Sequence, residues 1–157
     1  MKMPSPRPSA WERWSKETDV EKTFLLEIVT PHGLIVSSKV EEVYVPGTQG
    51  DMDVLPGHAP LLTSLRVGEL HFKQDKEVHY LAINRGFAEV TPTRTTILAD
   101  TAEPAGEIDV ARARAAQARA EERLKALTPR DPGYPRELEA LDRARVRLRV
   151  AEKAPKE

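Results

Sequence analysis

Cysteine is absent from the 157 residues. That excludes disulfide cross-links, a thiolate nucleophile and cysteine-bound zinc together. Also missing is any apolar run approaching the ~18 residues that would cross a bilayer as a helix. Neither sign of charge dominates: 24 Lys and Arg nearly cancel 25 Asp and Glu, so a nucleic-acid-binding surface is not expected. No Gly-rich loop runs into Lys and Ser or Thr, which excludes the P-loop phosphate cradle. No Gly-x-Ser-x-Gly elbow occurs either. His32, His58, His71 and His79 form no close ligand cluster. Only His71 and His79 would approach across a hairpin, and two histidines alone make a poor metal site. Glu41 and Glu42 adjoin on a strand-like run, so they point to opposite faces and are no catalytic pair. Without a nucleophile, metal cage or poised acid–base pair, the chain is not expected to be an enzyme.

What is present divides into three zones. Residues 1–22 are rich in Pro, Ser and charge, and composition predicts a disordered extension that lacks the apolar core of a secretory signal. Its large apolar side chains, Trp11 and Trp14, would share one face if the segment became helical, as a short anchor would. Over residues 23–102 the hydrophobic period is two. Runs such as Phe24–Val29, Gly33–Val36 and Val40–Val45 are separated by Pro31-His32-Gly33, Pro46-Gly47 and Pro56-Gly57 turns. Leu70, Phe72, Val78, Tyr80 and Leu81 flank Gln74–Glu77 as a hairpin. Short strands with turns at this spacing predict a small antiparallel sandwich or barrel.

Residues 103–157 change character. Ile108–Leu127 contains neither Gly nor Pro, and Ala113, Ala116, Ala120, Leu124 and Leu127 fall on one helical stripe. Thr128–Gly133 stops that helix. A second begins near Pro135 with Leu138, Leu141, Ala144, Leu148 and Ala151 on one face, giving an antiparallel helical hairpin. The fold class is therefore α+β, with a sandwich followed by two helices. Alanine buries roughly 0.8 kcal/mol against ~1.5–3 for leucine, so the first helix packs closely but is weakly held. The residues suit a mobile element and a permanently docked one alike. Asp109 is placed to cap the first helix. Arg112 and Arg119 share a face of it, and Arg143 and Arg147 share a face of the second. In a closed hairpin these guanidiniums would converge on a polyphosphate; alternatively they are solvated or paired with Glu121, Glu122 and Glu137.

Asp53-Val54-Leu55-Pro56-Gly57-His58-Ala59-Pro60-Leu61-Leu62 resembles the signature of the epsilon subunit of bacterial F-type ATP synthase. Gly86–Val90, Thr96–Asp100 and Ile108–Ala113 continue the likeness in the family's order, over about Phe24 to Glu152. The resemblance implies a non-catalytic rotor subunit. Its sandwich would bind the gamma subunit and rest on the c ring, with Asp51, Met52 and His58 at that interface. Its hairpin, extended, would reach the catalytic alpha/beta hexamer and block ATP hydrolysis. Peripheral attachment at the cytoplasmic face of the bacterial plasma membrane follows, with no required cofactor. The Ile-Asp-x-x-Arg-Ala motif at Ile108–Ala113 further implies a regulatory ATP, held by Glu103, Asp109, Arg112, Arg119, Arg143 and Arg147. The last two match if one residue is inserted in the turn. A free-standing ATP-binding sensor without a rotary partner is the alternative. Gly50-Asp51-Met52-Asp53 and Arg85-Gly86 depart from the usual pattern, which has Gly-Glu-Leu-Gly and Gly-Gly there. Pro129, Pro132 and Pro135 should stiffen the turn between the helices.

Overall fold

A computed structural model describes residues 1–3 and 22–156. The predicted extension lies almost wholly outside these, and so does the proposed shared face of Trp11 and Trp14. Strong alternation at the start of the described sheet sets the pattern for the rest. In β1 (Phe24–Thr30) every second residue is buried, beginning with Phe24, Leu26 and Ile28. The period-two side-chain geometry of a strand puts these on one face. β2 (Gly33–Val40), β3 (Glu42–Val45), β4 (Met52–Val54), β5 (Leu61–Leu65) and β6 (Gly68–Gln74) follow, then the long β7 (Glu77–Val90) and β8 (Arg94–Pro104). They form an eight-stranded sheet in the order β2-β1-β8-β7-β6-β3-β4, with β5 paired to β7. All pairings are antiparallel except β1 with β8, which run parallel from Leu25↔Arg94 to Val29↔Leu98. One buried cluster unites residues of every strand, including Phe24, Ile28, Val43, Leu70, Leu81 and Ile97.

β7 serves two neighbours in turn. Its first half, Glu77–Ile83, pairs with β6, and Gly86–Val90 pairs with β5. Asn84 and Arg85 lie at the handover. Gly86 has φ +151°, and a Cβ there would stand 1.8 Å from the Leu98 carbonyl oxygen, so only glycine fits. Arg85 is itself left-handed at φ +41°, a conformation that costs a side-chain-bearing residue roughly 1–2 kcal/mol.

A single 3-10 turn, Ala105–Glu107, leads from β8 to helices α1 (Val110–Lys125) and α2 (Tyr134–Ala151). Asp109 caps α1: its Oδ1 accepts the Arg112 backbone N–H at 3.0 Å, satisfying a donor that the helix start leaves open. The chain reverses through Thr128–Asp131, where Asp131 Oδ2 accepts the Thr128 N–H at 2.6 Å and its hydroxyl at 3.0 Å. These bonds hold the Asp131 carboxyl below the ordinary range.

The two helices are not equivalent. α1 packs chiefly on α2, whereas α2 also contacts β6, β7 and the 3-10 turn. Ala113 and Ala120 of α1, with Leu141 and Ala144 of α2, are buried in the hairpin. A separate small cluster joins Val146 and Val150 of α2 to Ala82 and Ala105, edged by Val67, Tyr80, Ile108 and Ala154. α2 therefore has two buried sides. The single stripe expected from its sequence captures Leu141 and Ala144, leaves Leu138 exposed and omits Val146 and Val150. Polar ties supplement this cluster. Lys153 Nζ donates to Glu69 Oε2 at 2.6 Å and lies 4.8 Å from the centre of the Tyr80 ring. Arg85 pairs with Glu139, and Arg147 with Glu103.

Candidate functional site

The end of β8, the first half of α1 and the C-terminal part of α2 enclose a pocket of about 330 Å³. Strand geometry delivers Glu103 from the sheet, the cap delivers Asp109, and helical spacing places Arg112 and Arg119 on one face of α1. Arg147 enters from α2 and donates through Nε to Glu103 Oε2 at 2.8 Å. Ala102, Ala113 and Ala116 leave the floor free of bulk. Five of the six residues expected around a nucleotide thus line one pocket. Arg143 does not: one turn before Arg147, it pairs with Glu139 at 3.7 Å and borders a crevice beside Asn84 and Thr101. Glu107 also lines the pocket and was not among the expected residues. Its position two residues before the cap was the available signal.

The chemistry of this pocket is that of paired charges. Three guanidiniums, each charged at any physiological pH, face three carboxylates. The arginines offer planar donors for phosphate oxygens, and the carboxylates offer acceptors for an amino group. The volume lies at the low end of the ~300–1,000 Å³ usual for small-molecule sites.

The residues expected to meet the rotor lie at the β3–β4 pair and in the loop before β5. Tyr44, directly opposite Asp53 in the β3–β4 pair, donates its hydroxyl to Asp51 Oδ2 at 2.6 Å. Arg66 donates to Asp51 Oδ1 at 2.5 Å. The Tyr44 bond first, then Arg66, hold the Asp51 carboxyl below its ordinary value; the same Tyr44–Asp51 bond pushes the tyrosine hydroxyl up. Met52 pairs with Val45 and packs half-buried against the core, so it belongs partly to the fold. His58 sits in the loop before β5, with Nδ1 2.7 Å from the Ala59 carbonyl oxygen.

Sequence reading missed an apolar surface on the outside of the sheet. Phe87 pairs with Leu98, Leu98 with Val29, and Val29 with Leu34, so four strands align one lateral row. Phe87, Leu98 and Leu34 are 56%, 52% and 59% exposed. A shallow depression of about 360 Å³ lies over Val29, Phe87 and Leu98. Apolar residues at the outward positions of alternating strands were the signal. The expected approach of His71 and His79 does not occur. His71 registers with Tyr80 and His79 with Phe72, which puts the two histidines on opposite faces. Among the described residues no group of three or more His, Asp or Glu is arranged to hold a metal ion. Nor is any described helix long and apolar enough to cross a membrane.

Residues 23–105 match the family described as ATP synthase, Delta/Epsilon chain, beta-sandwich domain. Residues 107–152 match ATP synthase, Delta/Epsilon chain, long alpha-helix domain. The chain is 49% identical over 126 residues to ATP synthase epsilon chain 2 of Syntrophotalea carbinolica, covering 80% of this chain and 91% of that one. It is 48% identical over 129 residues to the ATP synthase epsilon chain of Geobacter sp. strain M21, covering 82% and 94%. Its fold also matches a chain in the Euglena gracilis mitochondrial ATP synthase structure that contains OSCP, F1 and the c-ring. There the TM-score is 0.72 at 21% identity, over 97% of this chain and 99% of that one.

Proposed function

The chain belongs to the ATP synthase delta/epsilon-chain family as a non-catalytic subunit, and from that premise we propose that it links rotor to ring in proton-driven synthesis and restrains ATP hydrolysis through its hairpin. In this reading the subunit lies in the central stalk, peripheral to the cytoplasmic face of the membrane. The outward apolar row at Phe87, Leu98, Val29 and Leu34 receives the gamma subunit. The exposed row has the apolar character of an interface core. Asp51, Met52 and His58 face the c ring. The hairpin, when extended, reaches the alpha/beta hexamer.

The observation that carries the regulatory part is the composition of the pocket. Its walls come from β8, α1 and α2 together, so it exists only while the hairpin is folded on the sandwich. A ligand that binds only this arrangement stabilises it by RT ln(1 + [L]/Kd), about 2.7 kcal/mol at a hundredfold excess over Kd. ATP is the ligand proposed, with Arg112, Arg119 and Arg147 on its phosphates and Glu103 and Asp109 toward the base. Arg143 joins the set by turning from Glu139. ATP acts here as a signal that keeps the brake folded, with no bond broken. Binding also requires opening the Glu103–Arg147 pair, which sets part of the affinity.

ATP titrated into the full chain and followed by calorimetry tests the reading. Saturable binding that Arg112→Gln or Arg119→Gln weakens by about tenfold or more is the expected result, since each loses a charge-assisted contact worth ~1.5–3 kcal/mol. Unchanged affinity in both variants would mean that ATP does not bind in this pocket.

A further inference from the structure

A larger cleft, of about 690 Å³, opens beside a different face of α2, between that helix and the sandwich. None of the residues expected around ATP lines it. Its walls carry Arg66 and Arg85 from the sandwich and Arg145 and Arg149 from α2, against two carboxylates, Glu139 and Asp142. The pocket around Arg112 balances three positive charges with three negative ones. This cleft does not. Arginines keep their charge at any physiological pH, and the carboxylates that offset Arg66 and Arg145, Asp51 and Glu121, lie outside the lining.

The individual pairings leave capacity for a ligand. Arg66 is engaged by Asp51 at 2.5 Å, Arg85 by Glu139, and Arg145 by Glu121 at 3.8 Å. Glu139 is shared, because Arg143 also reaches it at 3.7 Å. Arg149 has no ion pair among the described residues. A second, independent observation concerns Arg85. It occupies the left-handed region at φ +41°, where glycine is the residue without strain, and that backbone carries its guanidinium over the cleft. Strain retained beside a charged cleft marks a side chain whose placement matters more than local comfort.

We propose that the cleft is a binding site for a small polyanion bearing two or more phosphate groups, gripped between Arg66 and Arg85 on one side and Arg145 and Arg149 on the other. The guanidinium fork suits bidentate contact with phosphate oxygens. A ligand so placed bridges sandwich and hairpin and holds α2 docked, independently of the ATP pocket. The exposed ion pairs along the rim are weak enough to rearrange toward it.

The test is a titration of inorganic triphosphate into the full chain, read by calorimetry and by NMR shifts of the arginine side chains. Expected are saturable binding, shifts at Arg85, Arg145 and Arg149, and a loss of about tenfold in affinity in both Arg85→Gly and Arg149→Gln, the scale of one lost contact. Arg85→Gly accepts the observed backbone angle, and an unchanged thermal midpoint for either variant separates lost binding from lost folding. A parallel titration with ATP distinguishes sources. Equal affinity at the Arg85 and Arg149 signals assigns the cleft to phosphates alone, and tighter binding there assigns it to a nucleotide; both support the site. Absence of saturable binding at millimolar triphosphate, shifts confined to Arg112 and Arg119, or undiminished affinity in both variants would overturn it.

Discussion

Val150→Ala should release the hairpin without weakening the sandwich. Val150 is fully buried, and among the described residues its cluster contains only Ala82, Ala105 and Val146 as other buried members. Removing two carbons forfeits ~1.6 kcal/mol of transfer free energy at ~0.8 per carbon, and a residual cavity brings the loss to about 2 kcal/mol. That shifts the docked-to-undocked ratio by roughly 30-fold. The sandwich core is a distinct cluster, so the cost should fall on local opening alone. Amide hydrogen exchange reads this directly. Amides of α2 should exchange roughly 30-fold faster, while those of β1 and β8 keep their protection. Ile28→Val is the contrast: Ile28 lies in the sandwich core, and the change should cost about 0.5–1.5 kcal/mol globally with no selective effect on α2. Equal acceleration in β1 and α2 of Val150→Ala would instead mean that sheet and hairpin open as one unit, with no separately weak hairpin.

Two further perturbations address the sites. Glu107→Gln removes one of the pocket's three carboxylates and should tighten ATP binding by about two- to fivefold, the effect of an exposed charge worth ~0.5–1 kcal/mol, as calorimetry would read. Tyr44→Phe removes the main cause that lowers the Asp51 carboxyl, so its titration, followed by the side-chain carbon signal, should move up toward the ordinary carboxylate range. The sign follows from linkage. With Tyr44 present, Asp51 contributes stability above the ordinary carboxylate range, and loses it as pH falls through its depressed folded value. An unmoved Asp51 titration in Tyr44→Phe would show that Arg66 alone sets it.

Local rules carried much of the architecture. Period-two burial in β1 and the Pro-Gly turns announced a sheet, and Asp109 announced the start of α1, because those signals depend on near neighbours. Long-range pairing is different in kind. Nothing near Leu25 or Arg94 states that β1 and β8 lie parallel, and only the assembled sheet puts Val29 beside Leu98. The same limit hid the outward row at Phe87 and placed His71 and His79 on opposite faces despite their proximity in sequence. On α2, a search for one apolar stripe missed Val146 and Val150, since a helix between two neighbours buries two sides. At the pocket between β8 and the two helices, helical spacing put Arg112 and Arg119 on one face, and both line the pocket. Arg143 was expected there and instead pairs with Glu139, while Glu107 was not expected and lines the pocket, because side-chain direction is fixed by tertiary contacts.

In the proposed function the folded hairpin is the released state of a brake. ATP hydrolysis by the synthase stripped of this subunit, with the full chain or residues 1–107 added back, tests it most directly. The shorter chain ends after β8 and the 3-10 turn, so it retains every strand of the sandwich. Both chains should rejoin the complex, only the full chain should slow hydrolysis, and raising ATP should relieve the slowing unless Arg112 is replaced. Equal hydrolysis with either chain bound would contradict this and leave the hairpin without a regulatory part.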